Sequence, residues 1–308
     1  MEVSVVIPCY NKEKYIEKCI RSIQMQEFPS FEVLMVDDGS TDRTGDICDS
    51  LAATDSHLSV FHTRNEGVTA ARRYGVEHAR GKYIMFVDCD DALMPNAIRT
   101  LYDKIEQTGA DEVIGTHRTQ DGRLYDSKWR GWQEPSKLIN DLLALKNSFC
   151  VLWAVIFRKT LLDGCLNSPR EIISGEDILM QIKCLVKNIK VFFIGDVVYL
   201  YNKGLPNERH TDISNIQAFD QELEKTLRIR WDEFVYGFLL HVVKTYESLL
   251  YRRQFHVLGY YSKFRSQTWK IYLRKLPKAD YLAFCLPPRI SWILVYLYKK
   301  SYHFFRLH

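Results

Sequence analysis

The 308-residue chain contains no Cys-x-x-Cys pair. Its eight cysteines (Cys9, Cys19, Cys48, Cys89, Cys150, Cys165, Cys184 and Cys285) fit no zinc-finger spacing with histidine, which argues against structural zinc and for reduced thiols. Long apolar runs are missing too. The most membrane-like stretch, residues 290–298, falls far short of the ~20 apolar residues a spanning helix needs, and Pro287, Pro288 and Arg289 interrupt its upstream side. The N-terminus runs almost directly into Val3-Ser4-Val5-Val6-Ile7, without the charged, apolar and cleavage regions of a leader, so no signal peptide is expected. No internal repeat and no low-complexity tract is found. Acid is nearly absent from one region: residues 249–308 hold twelve Lys and Arg against Asp280 alone, a net charge of +11, which leaves −7 on residues 1–248 of a chain whose total is +4. What is present is ordinary for a folded protein, with 46% hydrophobic and 26% charged residues. Those values exclude wholesale disorder and a polytopic membrane protein.

Short β-rich apolar runs at residues 3–7, 32–36, 58–61, 83–87 and 112–115 alternate with helical patterns at 14–26, 42–53, 68–79 and 96–108, with Thr41 and Pro95 as candidate helix starts. This βαβα rhythm predicts an α/β fold with a mostly parallel, doubly wound sheet, its ligand crevice beyond the carboxyl ends of the strands. Past Thr116 come a polar turn at Asp121-Gly122, a helix near 135–145, an aromatic segment at 150–157, a helix at 177–187, two strands at 190–194 and 197–201, and a polar loop. The apolar spacing from Leu223 through Trp231 and Phe238 to Leu249 predicts one long amphipathic helix over 216–253. We expect a catalytic domain over 1–215, divided into a nucleotide-binding half (1–115) and an acceptor half (116–215), and a basic, aromatic helical extension over 216–308.

Acids gather where the crevice should lie. Asp37 and Asp38 close the second strand, and Asp88, Asp90 and Asp91 the fourth. Carboxylates so close together repel one another unless a cation neutralises them. Hard oxygen donors suit Mg²⁺ or Mn²⁺ shared with substrate phosphates. Asp as a turn or cap residue is the alternative for either cluster alone.

These runs, with Val3-Ser4-Val5-Val6-Ile7-Pro8-Cys9-Tyr10-Asn11, Asn65-Glu66-Gly67, Ala70-Ala71-Arg72 and Gly175-Glu176-Asp177, occur in the order found in the family 2 inverting glycosyltransferases, which the chain resembles over roughly residues 1–210. The resemblance implies the GT-A nucleotide-sugar fold. It implies that Asp38 accepts from the uracil imide while Pro8 and Tyr10 flank the base. It places Asp88 near the ribose and metal, makes Asp90 the principal metal ligand, and sets Arg72 near the nucleotide, with either Arg72 or Arg73 pointing inward. It makes Asp177 the base that deprotonates the acceptor hydroxyl, Glu176 being the adjacent rival. His210 is a candidate for the metal or diphosphate site, in competition with a solvated loop histidine. Trp153 is a candidate platform for an acceptor sugar, in competition with a buried packing role.

The expected activity is metal-dependent, inverting transfer of a sugar from a UDP-linked donor to a hydroxyl of a glycan or lipid-linked glycan, with Mn²⁺ or Mg²⁺ as cofactor. A nucleotidyltransferase is the enzyme alternative. Pro8-Cys9-Tyr10-Asn11 after the first strand argues against it, since a triphosphate site wants a glycine-rich basic loop. A non-catalytic membrane-associated scaffold is the second alternative. Residues 254–308 combine positive charge with Trp269, Tyr272, Tyr281, Phe284, Trp292, Tyr296, Tyr298, Phe304 and Phe305, which predicts peripheral membrane association at the cytoplasmic face, helices packed on the catalytic domain being the alternative. No nucleic-acid motif accompanies the charge, so no nucleic-acid partner is expected.

Overall fold

The residues Val3-Ser4-Val5-Val6-Ile7-Pro8-Cys9 are all buried, the pattern of an interior strand covered on both faces, and they form β1 (Val3–Cys9). The computed structural model describes residues 1–145, 151–203 and 212–306, with side chains through Leu297. Two compact units divide the chain: Met1–Ile139 with Asn147–Thr211, and Asn140–Lys146 with Asp212–His308.

In the first unit, β1 is followed by α1 (Ile16–Gln24), β2 (Phe31–Asp37), α2 (Thr44–Ala52), β3 (Leu58–His62), α3 (Val68–His78), β4 (Tyr83–Phe86), β5 (Ala92–Leu93), α4 (Ala97–Thr108) and β6 (Glu112–Thr119). Next come β7 (Leu124–Tyr125), β8 (Gly131–Gln133), α5 (Pro135–Leu143), β9 (Val155–Arg158), α6 (Glu176–Leu185) and β10 (Val191–Tyr201). The sheet runs β3-β2-β1-β4-β9-β6-β10-β5, with β7 on β6 and β8 on β10. Parallel pairing dominates the long strands, with β1 on β2 and β4, β2 on β3, and β6 on β10. The antiparallel pairs are short, and β9 enters antiparallel between β4 and β6. Helix α3 packs so closely on β1 that a Cβ at Gly75 would sit 2.3 Å from Val6 Cγ1, a contact only glycine permits.

Several expectations change. The two strands predicted at 190–194 and 197–201 are one strand, β10, whose register against β6 shifts between Phe193 and Val197 and again between Val197 and Tyr199; the strand continues through Gly195-Asp196 without ending there. Neither Thr41 nor Pro95 starts a helix. Helix α2 follows Arg43, with Asp42 Oδ1 accepting from the Thr44 amide at 2.9 Å, and α4 follows Asn96 in left-handed backbone (φ 60°).

In the second unit the single long helix is two, α7 (Ile213–Leu227) and α8 (Trp231–Tyr251), separated by a 3₁₀ turn at Arg228–Arg230. The apolar spacing continues through the break, so it could not reveal it. The chain folds back there, bringing His241 on α8 against Phe219 on α7, ring centroids 5.3 Å apart. A 3₁₀ segment (Phe255–Arg265), α9 (Gln267–Leu273), α10 (Lys278–Cys285) and α11 (Pro288–Arg306) complete the unit. Phe284 is fully buried, and Trp269 packs against Phe264 and Trp231, so part of the aromatic set read as an anchor is core. Among the described residues no helix is long and apolar enough to cross a membrane. The described cysteines are all free, six of them buried and Cys285 exposed; Cys150 lies outside the described residues.

Candidate active site

The carboxyl ends of β1 and β2 are tied together by backbone: the Asp38 amide donates to the Cys9 carbonyl at 2.8 Å. Asp38 itself is buried, and its two oxygens accept from the amides of Glu66 (2.9 Å) and Gly67 (2.8 Å). Burial raises its proton affinity, and the two amides oppose that rise. Each oxygen retains a second lone pair for another donor. Gly39 is left-handed (φ 71°), and a Cβ there would lie 2.9 Å from the Asn65 amide, so glycine is required where this turn meets the loop before α3. Asp37 points elsewhere, toward His62 Nδ1 at 2.9 Å and the Ser40 amide. Pro8 is buried on β1, whereas Tyr10 is 44% exposed, which excludes core packing for its ring.

Beyond β4, three acids take different surroundings. Asp91 is buried and accepts from the Tyr199 hydroxyl (2.8 Å) and the Asn202 amide (2.7 Å), fastening β10 to this loop. Burial, then the charge of Asp88, pushes its carboxyl up to about 8 despite those donors. Asp90 Oδ2 receives the Lys12 ammonium at 2.7 Å. Asp88 Oδ1 receives Arg72 Nη2 at 2.9 Å, and Arg72 Nη1 donates to Asp177 Oδ1 at 2.8 Å. Burial works against the Arg72 charge, but Asp177, Asp88 and Glu176 outweigh it and hold the guanidinium charged.

Arg72 thus joins the fourth-strand acids to the start of α6, a helix that follows left-handed Gly175. It settles which arginine points inward, because Arg73 is partly exposed and faces Glu77 at 3.9 Å. Between the rivals at the α6 start, Glu176 is buried while the Asp177 side chain keeps 24% exposure beside Arg72. The site therefore brings together Asp88, Arg72 and Asp177, with Asp90 in the same loop as Asp88, while Asp38 closes β2, on the far side of β1 from β4.

One candidate falls away from this cluster. Trp153 is 7% exposed, stacked on Tyr199 (4.6 Å) and Tyr201 (5.2 Å) with its edge against His117. Its ring packs in the core and presents no open platform to a sugar. His210 lies outside the described residues. Three participants escaped sequence reasoning: Lys12, Tyr199 and Arg170, whose Nη2 reaches the Asn65 carbonyl at 2.9 Å. Lys12 directly follows the Tyr10-Asn11 pair, yet only the fold brings it to Asp90.

Asp88 and Asp90 offer hard oxygens, and each already draws a cationic side chain, with the Lys12 ammonium standing where a metal ion would be attracted. Among the described residues no group of three His, Cys, Asp or Glu side chains could hold a metal by itself. Such a donor set fits Mg²⁺ or Mn²⁺ bound through one or two carboxylates with substrate phosphates, not an all-protein cage.

A parallel half-sheet ending in carboxylates, continued by an antiparallel strand and closed by β10, is the GT-A fold of nucleotide-sugar transferases. The structure of Staphylococcus aureus TarS 1–349 in complex with UDP-GlcNAc shares it, with a TM-score of 0.64 at 22% identity over 96% of this chain and 89% of that one. The model of glycosyl transferase family 2 matches residues 4–166, and the chain belongs to that family. Glycosyltransferase GlyG of Streptococcus pneumoniae serotype 4 is 42% identical over 127 residues, which is 40% of this chain. The chain spans 42% of that relative's length. The uncharacterized glycosyltransferase EpsJ of Bacillus subtilis strain 168 is 30% identical over 237 residues, 72% of this chain and 67% of EpsJ.

Proposed function

We propose that the protein is an inverting glycosyltransferase that moves a sugar from a UDP-linked donor to a hydroxyl of a glycan or lipid-linked glycan, with a divalent cation assisting. The observation that carries the reading is the Arg72 clamp, because it brings Asp177, the candidate base, beside Asp88 in the candidate donor site. The likeness to a structure solved with UDP-GlcNAc supports a uridine donor.

In this reading Asp38, held by two backbone amides, accepts from the uracil imide, and the exposed Tyr10 ring covers the base. Asp90 and Asp88 are the residues that would hold Mg²⁺ or Mn²⁺, which when bound supplies charge stabilisation to the leaving diphosphate. Asp177 receives the proton of the acceptor hydroxyl as that oxygen bonds to C1 and the bond from C1 to the diphosphate oxygen breaks, releasing UDP. A single displacement inverts the anomeric centre. Arg72 positions Asp177 and balances the acids around it, and buried Glu176 is the less accessible rival.

A panel of UDP-, GDP- and dTDP-sugars, screened for thermal stabilisation with Mn²⁺ and with chelator, tests the donor assignment. UDP-sugars should raise the midpoint in a metal-dependent manner. Stabilisation by another nucleotide alone would replace the uridine reading.

A further inference from the structure

Helix α11 turns two different faces to its surroundings. Ser291 and Val295 are buried, with Ser291 Oγ donating to the Leu286 carbonyl at 3.1 Å. Ile290 (50% exposed), Ile293 (51%), Leu294 (42%) and Leu297 (57%) fall at i, i+3, i+4 and i+7, one continuous outward stripe of aliphatic side chains. Leu282 and Tyr281 on α10 and Ile271 on α9 add exposed apolar groups within the same unit.

The exposed charge of residues 249–297, the segment that carries this stripe, has one sign. Arg289 lies on α11 itself, Arg253 packs on it through Trp292, and Arg252, Lys270, Arg274 and Lys275 are likewise exposed. Asp280, the one acid in residues 249–308, is buried and spent on Lys244 at 2.9 Å. Arg253 lies over the Trp292 ring, 4.7 Å from its centroid, so that cation and the indole at the base of the helix hold each other in place.

We propose that the outward face of α11 is a membrane-docking surface whose occupant is an anionic lipid bilayer. The stripe spans seven residue steps, roughly 10 Å along the axis. That length lets aliphatic side chains sink into the boundary between headgroups and acyl chains but not cross it. The exposed cations of the same segment match anionic headgroups. A second copy of the chain is the poorer occupant, since two such faces would bring like charges together. This placement shifts the docking function from the aromatic residues, of which Phe284 is core and Trp269 is half-buried among other rings, to the aliphatic stripe, and it does not depend on the donor site.

The test is co-sedimentation of the full chain with vesicles of phosphatidylcholine alone and with about 30 mol% phosphatidylglycerol, at about 0.05 M and 0.5 M salt, conditions that span weak and strong screening. The parent should partition at least about 10-fold more strongly onto anionic vesicles at low salt. Ile293→Asn/Leu297→Asn, which changes no charge, should lose about 10-fold or more of that binding while keeping its thermal midpoint. Arg274→Gln/Lys275→Gln should lose binding to anionic vesicles only. Ile229→Asn, at an exposed apolar position (77%) outside the stripe, should bind like the parent. Equal parental binding to both vesicle types, unchanged binding of the stripe variant, or equal loss in Ile229→Asn would overturn the proposal. So would a parental dimer that the stripe variant converts to monomer with vesicle binding intact, which would make a second copy the occupant.

Discussion

Replacing Arg72 by glutamine removes a guanidinium that is 2% exposed and lies 2.8 Å from Asp177 and 2.9 Å from Asp88. Breaking a fully buried ion pair from one side costs about 3–5 kcal/mol, because the remaining charge is stranded. Here the two carboxylate side chains are 24% and 30% exposed, so water solvates part of their charge, and the expected loss falls to about 2–3 kcal/mol. Among the described residues the Arg72 Nε group has no hydrogen-bond partner, so its removal adds no further loss. For a unit of this size the loss corresponds to a drop of roughly 4–12 °C in melting midpoint. The decisive assay is a double-mutant cycle with Asp177→Asn, read by urea unfolding. Direct pairing predicts that the double variant is more stable than the sum of the single losses implies, with a coupling of about 1 kcal/mol or more. Additivity within about 0.3–0.5 kcal/mol, the figure for independent sites, would refute the clamp.

Asp90→Asn should weaken the metal dependence of UDP binding measured calorimetrically, and identical titrations with and without Mn²⁺ in parent and variant would remove the metal assignment. Asp38→Ala strands the amides of Glu66 and Gly67 and should cost about 1–3 kcal/mol in stability as well as uridine-nucleotide affinity; a variant with parental stability and affinity would contradict both roles. Gly75→Ala forces a Cβ against Val6 and should destabilise by about 1–3 kcal/mol, measured by denaturant unfolding, without altering nucleotide affinity. Glu112 is fully buried, with Oε1 accepting from Gln181 and Oε2 without a partner among the described residues, and burial pushes its carboxyl up from 4.5 to about 8. The folded state then holds a proton the unfolded state releases, so stability from this group is full below about pH 4.5 and is lost as pH rises toward 8. Glu112→Gln should flatten that decline in thermal midpoints between pH 5 and 8, and an unchanged slope would show that Glu112 is not its source.

The alternation of β runs and amphipathic stretches up to Gly115 carried the first half of the fold, because β1, β2 and β4 are buried on both faces, β3 is a half-buried edge strand, and the helices between them bury one stripe. The Asp runs at the ends of β2 and β4 were legible for the same reason: an unpaired charge is costly inside a buried strand, so a cluster of acids marks where the strand stops, whereas Glu32 within β2 is tolerated through its pairing with Arg80. Beyond that, local pattern was silent about partners. Val155–Arg158 reads as an apolar strand whichever neighbours it takes, and tertiary packing places it antiparallel between β4 and β6. Arg72 and Arg73 are equivalent in sequence, and the face of α3 that meets β1 selects the first. The turn at Arg228–Arg230 interrupts α7 and α8 without interrupting the apolar spacing. Tail aromatics looked alike in composition, yet Phe284 is core while the aliphatic stripe of α11 carries the exposed apolar surface. Lys12 meets Asp90 across 78 residues of sequence, a pairing that no spacing rule anticipates.

The central claim is that Asp177 is the base at a uridine-sugar site. It is tested most directly by measuring UDP release from UDP-sugars in the presence of Mn²⁺, alongside UDP affinity, for the parent, Asp177→Asn and Glu176→Gln. The account predicts UDP release by the parent, and UDP affinity in Asp177→Asn within about threefold of parental, with turnover lowered roughly 10²-fold or more. Parental turnover in Asp177→Asn with an inactive Glu176→Gln, or no UDP-sugar turnover by the parent, would contradict it.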